Sequence, residues 1–201
     1  MSILLVSITE VKLLLGGNAN FPDDDLLTML VQQVSARCET YLNRDLEDTG
    51  TSATEYFNGN GVRRVFPLRR YPVSSVTTVH DSLDRSYGTG DLISSDDYAV
   101  HLLEGYVEME YPPQQGMRNV RIVYDGGYEA DAETGVLPVP DGMKQAALLQ
   151  SAEVYRRRES MSMTGVSSDA GTIGMVQDVF DLTPGVKRLL DPYKAFALGG
   201  P

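Results

Sequence analysis

The spacing of apolar residues changes twice along this chain, and that change limits what it can fold into. Between residues 24 and 44, "DDLLTMLVQQVSARCETYLNR" places Leu26, Leu27, Leu30, Val31, Val34, Cys38, Tyr41 and Leu42 at the three- and four-residue steps of a helix buried along one side. From Ala53 to Tyr128 the pattern becomes a series of short β-favouring runs: "TEYF", "VRRVFPL", "VSSVTTVH", "DYAVHL", "YVEMEY" and "NVRIVY". In the last of these, Val120, Ile122 and Tyr124 alternate with Arg121 and Val123, as in a half-buried strand. Helical spacing returns in "VPDGMKQAALLQSAEVYRRRES", where Ala146, Ala147, Ser151 and Ala152 let another helix approach closely. The expectation is an α+β fold, a small helical core of about four helices carrying a mostly antiparallel β insertion of about five or six strands. Residues 1–50 and 138–201 make the helical core with a C-terminal docking segment, and residues 51–137 the insertion.

Local signals set the helix ends. Ser7 and Glu10 fit a capping box, and Gly16 stops the short first helix. Asp23, Asp24 and Asp25 open the second, where Asp23 can cap free N–H groups and its neighbours favour the positive end of the dipole, so the cluster needs no metal. Thr183 and Pro184 open a last short helix that ends near Asp191–Pro192. Residues 160–182 hold no sustained period and read as a long mobile segment or arm.

A chain of 201 residues, 42% hydrophobic, can bury one good core. Its formal charge of −11 argues against wrapping duplex DNA through phosphate contacts. Cys38, the single cysteine, falls on the apolar helix face and reads as a core residue in a reducing compartment. The amino terminus, broken by Ser7, Thr9, Glu10 and Lys12, reads as neither signal peptide nor membrane span, which points to the cytoplasm as the site of synthesis.

No catalytic or cofactor-binding constellation emerges, and no cofactor or metal is expected. His80 and His101 are the only histidines and lack ligand spacing. The "GNG" at Gly59–Gly61 and "GTG" at Gly88–Gly90 read as hairpin turns, and Asp125, Glu129, Asp131 and Glu133 as a solvated acidic loop without EF-hand spacing. Arg69–Arg70, with Arg63–Arg64 one strand earlier, is the densest basic feature. It reads as a set of inter-subunit ion pairs or solvated edge charges in preference to a phosphate patch, because alternation splits each pair across a strand. Two further readings remain: a β-type module that recognises a sugar or peptide through Tyr87, Tyr98, Tyr106 and Tyr111, and a hydrolase built on His80 or His101 with a carboxylate.

The order of elements carries more than any single residue. "ITEVKLLLG", "DDDLLTMLVQQVSARCETYLNRDL", "ATEYFNGNG", "LRRYPVSSVTTV", "VRIVYDGGY", "VPDGMKQAALLQSAEVYRRRES" and "VKRLLDPYK", in that sequence, resemble the head-to-tail connector, or adaptor, proteins of tailed bacteriophages and prophage-derived particles. The resemblance spans nearly the whole chain. It implies a structural virion protein of the neck, made in the host bacterial cytoplasm, with no catalytic residues. It further implies a homo-oligomeric ring, a dodecamer in the virion, with the portal protein and a stopper or tail-completion protein as partners and DNA passing through the lumen without specific binding. For such a ring the apolar C-terminal residues Leu189, Leu190, Tyr193, Phe196 and Leu198, together with Arg69 and Arg70, are the candidate partner interface.

Overall fold

The computed structural model describes residues 4–16, 24–157, 166–168, 171–173 and 181–195. Two compact units emerge, residues 1–42 with 131–194 and residues 43–130 with 195–201. The fold is α+β, with four α-helices among the described residues and an antiparallel β insertion.

The helical unit contains α1 (Ile8–Leu14), α2 (Asp24–Leu42), α3 (Asp141–Arg157) and α4 (Pro184–Leu190). The capping box forms as its sequence dictates: the Ser7 hydroxyl accepts from the Glu10 N–H at 3.2 Å, and the Glu10 carboxylate accepts from the Ser7 N–H at 3.0 Å. The same carboxylate pairs with Lys144 of α3 at 2.6 Å, so one local cap also joins two helices. On α2 the residues Leu27, Leu30, Val31, Val34, Cys38 and Leu42 are buried, whereas Leu26 is exposed. The four small residues of α3 are all buried, the close approach that their size permits, and Leu149 is turned to solvent. Thr183 caps α4 by accepting from the Val186 N–H, and Pro184 sits in the first turn. Buried Gln150 of α3 fixes the entry to α4, donating to the Asp181 carbonyl and accepting from the Thr183 N–H, both at 3.1 Å. Asp23 lies outside the described residues; Asp24 pairs with Lys12 at 2.7 Å, joining the end of α1 to the start of α2.

The β unit contains β1 (Ala53–Gly59), β2 (Val65–Pro67), β3 (Val73–Asp81), β4 (Tyr98–His101), β5 (Tyr106–Met109) and β6 (Gly116–Gly126). These strands form not one sheet but two, ordered β1-β6-β3 and β2-β5-β4, every pairing antiparallel. Phe66, Val79, Val107, Met109, Val120, Ile122 and Tyr124 fill the core between them. The "GNG" is therefore not a hairpin turn: it carries the chain from one sheet to the other. Gly59 is required there because a Cβ would stand 2.0 Å from the Gln114 carbonyl oxygen. The "GTG" likewise closes no hairpin and leads into a short 3-10 turn, Thr89–Asp91. Within residues 160–182, β7 (Val166–Ser168) and β8 (Gly171–Ile173) pair antiparallel, a hairpin that the sequence pattern did not announce. Residues 169–170 and the other residues from 160 to 180 lie outside the described residues.

Across the outer face of the first sheet the register sets Tyr56, Arg121 and His80 in one row. Tyr87 closes over this row, its ring under the Arg121 guanidinium at 4.5 Å and edge-on to His80. His80 is almost fully buried, and burial together with the Arg121 charge pushes its pKa below 6.5, against the opposing pull of Asp91.

Two expectations follow from this packing. The Cys38 thiol, fully buried on α2 with its pKa pushed up to about 12, should not react with an alkylating reagent until the protein unfolds. Cys38→Ser should lower stability by about 1–3 kcal/mol in a denaturant titration, by placing a hydroxyl in the helix interface. A depressed His80 pKa means that the unfolded chain takes up the proton first. His80 should therefore contribute stability above its unfolded value of 6.5 and lose it as pH falls through the folded pKa. His80→Asn should flatten the fall in melting temperature below pH 6.5, and an unchanged slope would refute this account.

Candidate functional site

The arginine segment is the first candidate surface; Arg69 is exposed and Arg70 half-buried, and the backbones of both are engaged within the β unit. The Arg69 N–H donates to Glu55 at 2.8 Å and the Arg70 N–H to the Tyr124 hydroxyl at 3.0 Å. Tyr124, itself fully buried, donates a very short hydrogen bond to Glu55. Burial pushes the Tyr124 phenol well up, with the Glu55 charge adding to it, and burial likewise raises the Glu55 carboxyl despite the bonds it accepts. The Arg70 guanidinium reaches the Thr51 carbonyl at 2.9 Å, and that of Arg69 the Asn43 side chain at 3.5 Å. Both residues lie beyond the end of β2, so strand alternation does not govern them. Nearby, Arg44 is buried with its guanidinium 3.6 Å from the Tyr71 ring centroid, a stacking that orders the same turn.

The C-terminal candidates divide. Leu190 is fully buried in its own helical unit and Leu189 half-buried. Tyr193 packs against α3, where a Cβ at Gly142 would meet its hydroxyl at 2.7 Å. Lys194 lies 3.8 Å from the Tyr41 ring centroid. Phe196 and Leu198 lie outside the described residues.

A further surface, which sequence reasoning missed, is the end of the β unit made by loops 59–64, 82–97 and 110–117. Buried Asn119 ties these loops together: its side chain accepts from the Gly59 N–H at 2.7 Å and donates to Asp81 at 2.7 Å and to the Gln114 carbonyl at 2.8 Å. Asp81 completes the frame by accepting from the Gln114 N–H at 2.9 Å. On this frame Val62, Tyr111 and Met117 stand 79%, 67% and 77% exposed. Beside them lies a cleft of about 320 Å³ with Leu92, Ile93, Met109 and Tyr111 among its apolar lining and Asp81, Asp91 and Asp97 as its carboxylates. In the sequence, Asn119 reads only as a residue before a strand, and nothing local marks its partners sixty and thirty-eight positions away.

The histidines do not converge. His80 belongs to the first sheet, while His101 lies in the second, stacked on Tyr106 at 4.0 Å and 3.6 Å from Glu108. Among the described residues no group of three or more His, Cys, Asp or Glu side chains could hold a metal ion. In the acidic loop Asp131 accepts from the Thr134 hydroxyl and from the N–H groups of Thr134 and Glu133, bonds that hold its pKa below the usual carboxylate range. The tyrosines do not form one platform either. Tyr98 lies opposite Met109 and packs on the core, whereas Tyr106, three residues before Met109 on β5, points to the other face.

Comparison with known proteins agrees with the architecture. A search of curated proteins returns no match. Similar folds occur in solved structures described as the virion of a native gene transfer agent particle (TM-score 0.54, 15% identity, 96% of this chain and 91% of that one). Others are the neck of an empty particle of this kind computed with C6 symmetry (0.55, 17%, 96% and 91%) and the neck of a native one computed with C12 symmetry (0.50, 16%, 100% and 97%). The model of the family described as "Head completion protein" matches residues 4–196, nearly the whole chain, and the chain belongs to that family.

Proposed function

We propose that this chain is a structural head-to-tail connector of a tailed-phage-like particle. Identical copies form a ring in the neck, between the capsid portal and the stopper or tail, and DNA passes through the lumen. The family match over residues 4–196 carries this reading. The neck particles in which similar folds were solved, with C6 and C12 symmetry, support the ring. A charge of −11 on every copy supports a lumen that repels phosphates and lets the duplex slide. The alternative, a module binding sugar or peptide, has less support, because Tyr98 and Tyr106 face opposite sides of their sheet.

Docking onto the portal falls to the C-terminal segment. Leu189 is half-buried on α4, and Phe196 and Leu198 follow Tyr193, whose ring already belongs to the helical unit. Arg69 and Arg70 act at most through their exposed guanidinium edges, since their backbones are engaged within the β unit.

Cells producing the particle without this chain should accumulate DNA-filled heads lacking tails in negative-stain micrographs; tailed particles at normal yield would overturn the connector reading. A chain ending at Ala195 keeps Tyr193 and Lys194 in place, and it should unfold at the same temperature as the full chain yet fail to join portal-bearing heads. Normal joining would move the docking surface elsewhere, and loss of folding would assign the tail to the core.

A further inference from the structure

The loop end of the β unit shows Val62, Leu83, Leu92, Tyr111 and Met117 to solvent, beside a core of large apolar residues from both sheets. This display is rigid. Asn119, Asp81 and Gly59 tie the loops together through hydrogen bonds, the one between Asn119 and Gly59 buried, so covering the surface orders little that is not already ordered. With Asp81, which frames them, loops 59–64, 82–97 and 110–118 carry four arginines and six carboxylates, so this end offers acceptors to a cation.

Asp81, Asp91 and Asp97 line the cleft together with Leu92, Met109 and Tyr111. Asp97 also lines a second cleft of about 260 Å³, with Arg64, Asp96, Glu108 and Glu110. A cleft lined by both apolar side chains and carboxylates suits an arginine, whose stem packs on the apolar groups while its guanidinium meets a carboxylate. The same chain carries an exposed cation beside an apolar side chain: Leu149 and Arg156, seven residues apart and so on one face of α3, are both exposed, while Glu153 between them is paired with Arg157 at 2.5 Å.

Building on the ring reading above, we propose that the loop end of one copy docks against the exposed α3 face of the next, with Tyr111 packed near Leu149 and Arg156 seated at the Asp97 cleft. Two different patches of one chain that fit each other make a head-to-tail contact, and repetition of that contact about an axis closes a ring. Opposite local charges let copies of an acidic chain meet where the bulk of their surfaces would hold them apart.

The test uses assembled particles carrying Tyr111→Cys. The native thiol is buried, so the introduced one is the reactive site. Before it is applied, the copy number of the chain per particle is measured by quantitative mass spectrometry; a single copy would end the ring reading itself. Given several copies, the new thiol should be protected from alkylation in particles and accessible in the free chain, and a short thiol-to-amine or photoactivated cross-linker attached to it should capture an α3 peptide of the same sequence. Full reactivity in particles, cross-links to a different protein, or cross-links to DNA would each overturn the proposal. As a second arm, Asp97→Arg should reduce incorporation roughly tenfold or more, since it sets like charges facing each other across the contact. Arg156→Asp in the same chain should restore it. Failure of the pair to rescue, with both variants folded by circular dichroism, would show that these two patches do not meet.

Discussion

The β unit depends on what β6 does with two buried polar side chains. Tyr124, at one end of the strand, gives its hydroxyl to Glu55 on the neighbouring strand and takes the Arg70 N–H, so a chain segment that belongs to neither sheet is fixed against the first. Asn119, at the other end, does the same for Gly59, Asp81 and Gln114. Between them Val120 and Ile122 carry the apolar core. A buried hydrogen bond contributes only about 1 kcal/mol net, but an orphaned partner costs more, and each of these side chains serves two or more partners. The strand therefore sets both the packing of the sheets and the geometry of the loops at their end.

Whatever rests on nearest neighbours was legible in the sequence. The Ser7–Glu10 capping box, the Thr183–Pro184 helix start, the buried face of α2 and the alternation of Val120, Ile122 and Tyr124 are all written within a few residues, and the structure forms each of them. Partner choice is not written so locally. Alternation says that a run is a strand and which of its sides is buried; it does not say that β1 and β3 both flank β6 while β2 and β4 flank β5. The "GNG" therefore looked like a hairpin turn, and only the missing space beside Gly59 shows why it crosses between sheets. Asn119 and Gln150 belong to the same class, because a buried amide is defined by partners far along the chain.

The candidate surfaces were less legible than the fold, and the reason is physical. A catalytic site concentrates a few residue types at one point and leaves a local signature. A surface that binds another protein is distributed over loops, and its members are ordinary until the loops are brought together. Arg69 and Arg70 stood out in the sequence as a charge pair, yet their backbones serve Glu55 and Tyr124. Val62 and Met117 stood out in nothing and Tyr111 only as one of four tyrosines of a binding-module reading, yet the fold places all three at one end. Family membership, in contrast, was readable from the order of whole elements, since that order is what a shared architecture preserves.

The four lysines and several arginines of this protein are committed to local partners, which bears on how the proposed connector would surround DNA without holding it. Each of the four lysines is paired with a carboxylate: Lys12 with Asp24, Lys144 with Glu10, Lys187 with Asp181 and Lys194 with Asp191. Four arginines of the β unit lie over aromatic rings: Arg44 over Tyr71, Arg63 over Phe66, Arg118 over Tyr56 and Arg121 over Tyr87. As exposed ion pairs, most of these contacts add little to stability. Their effect is on reach. A lysine held by a carboxylate, or a guanidinium laid flat on a ring, must give up that contact before it can neutralise a phosphate, and the counterion release that drives DNA binding is reduced by the same amount. The field felt at a distance is then set by the surplus of carboxylates, which in the ring proposed above would repel a duplex at every position and so favour none of them.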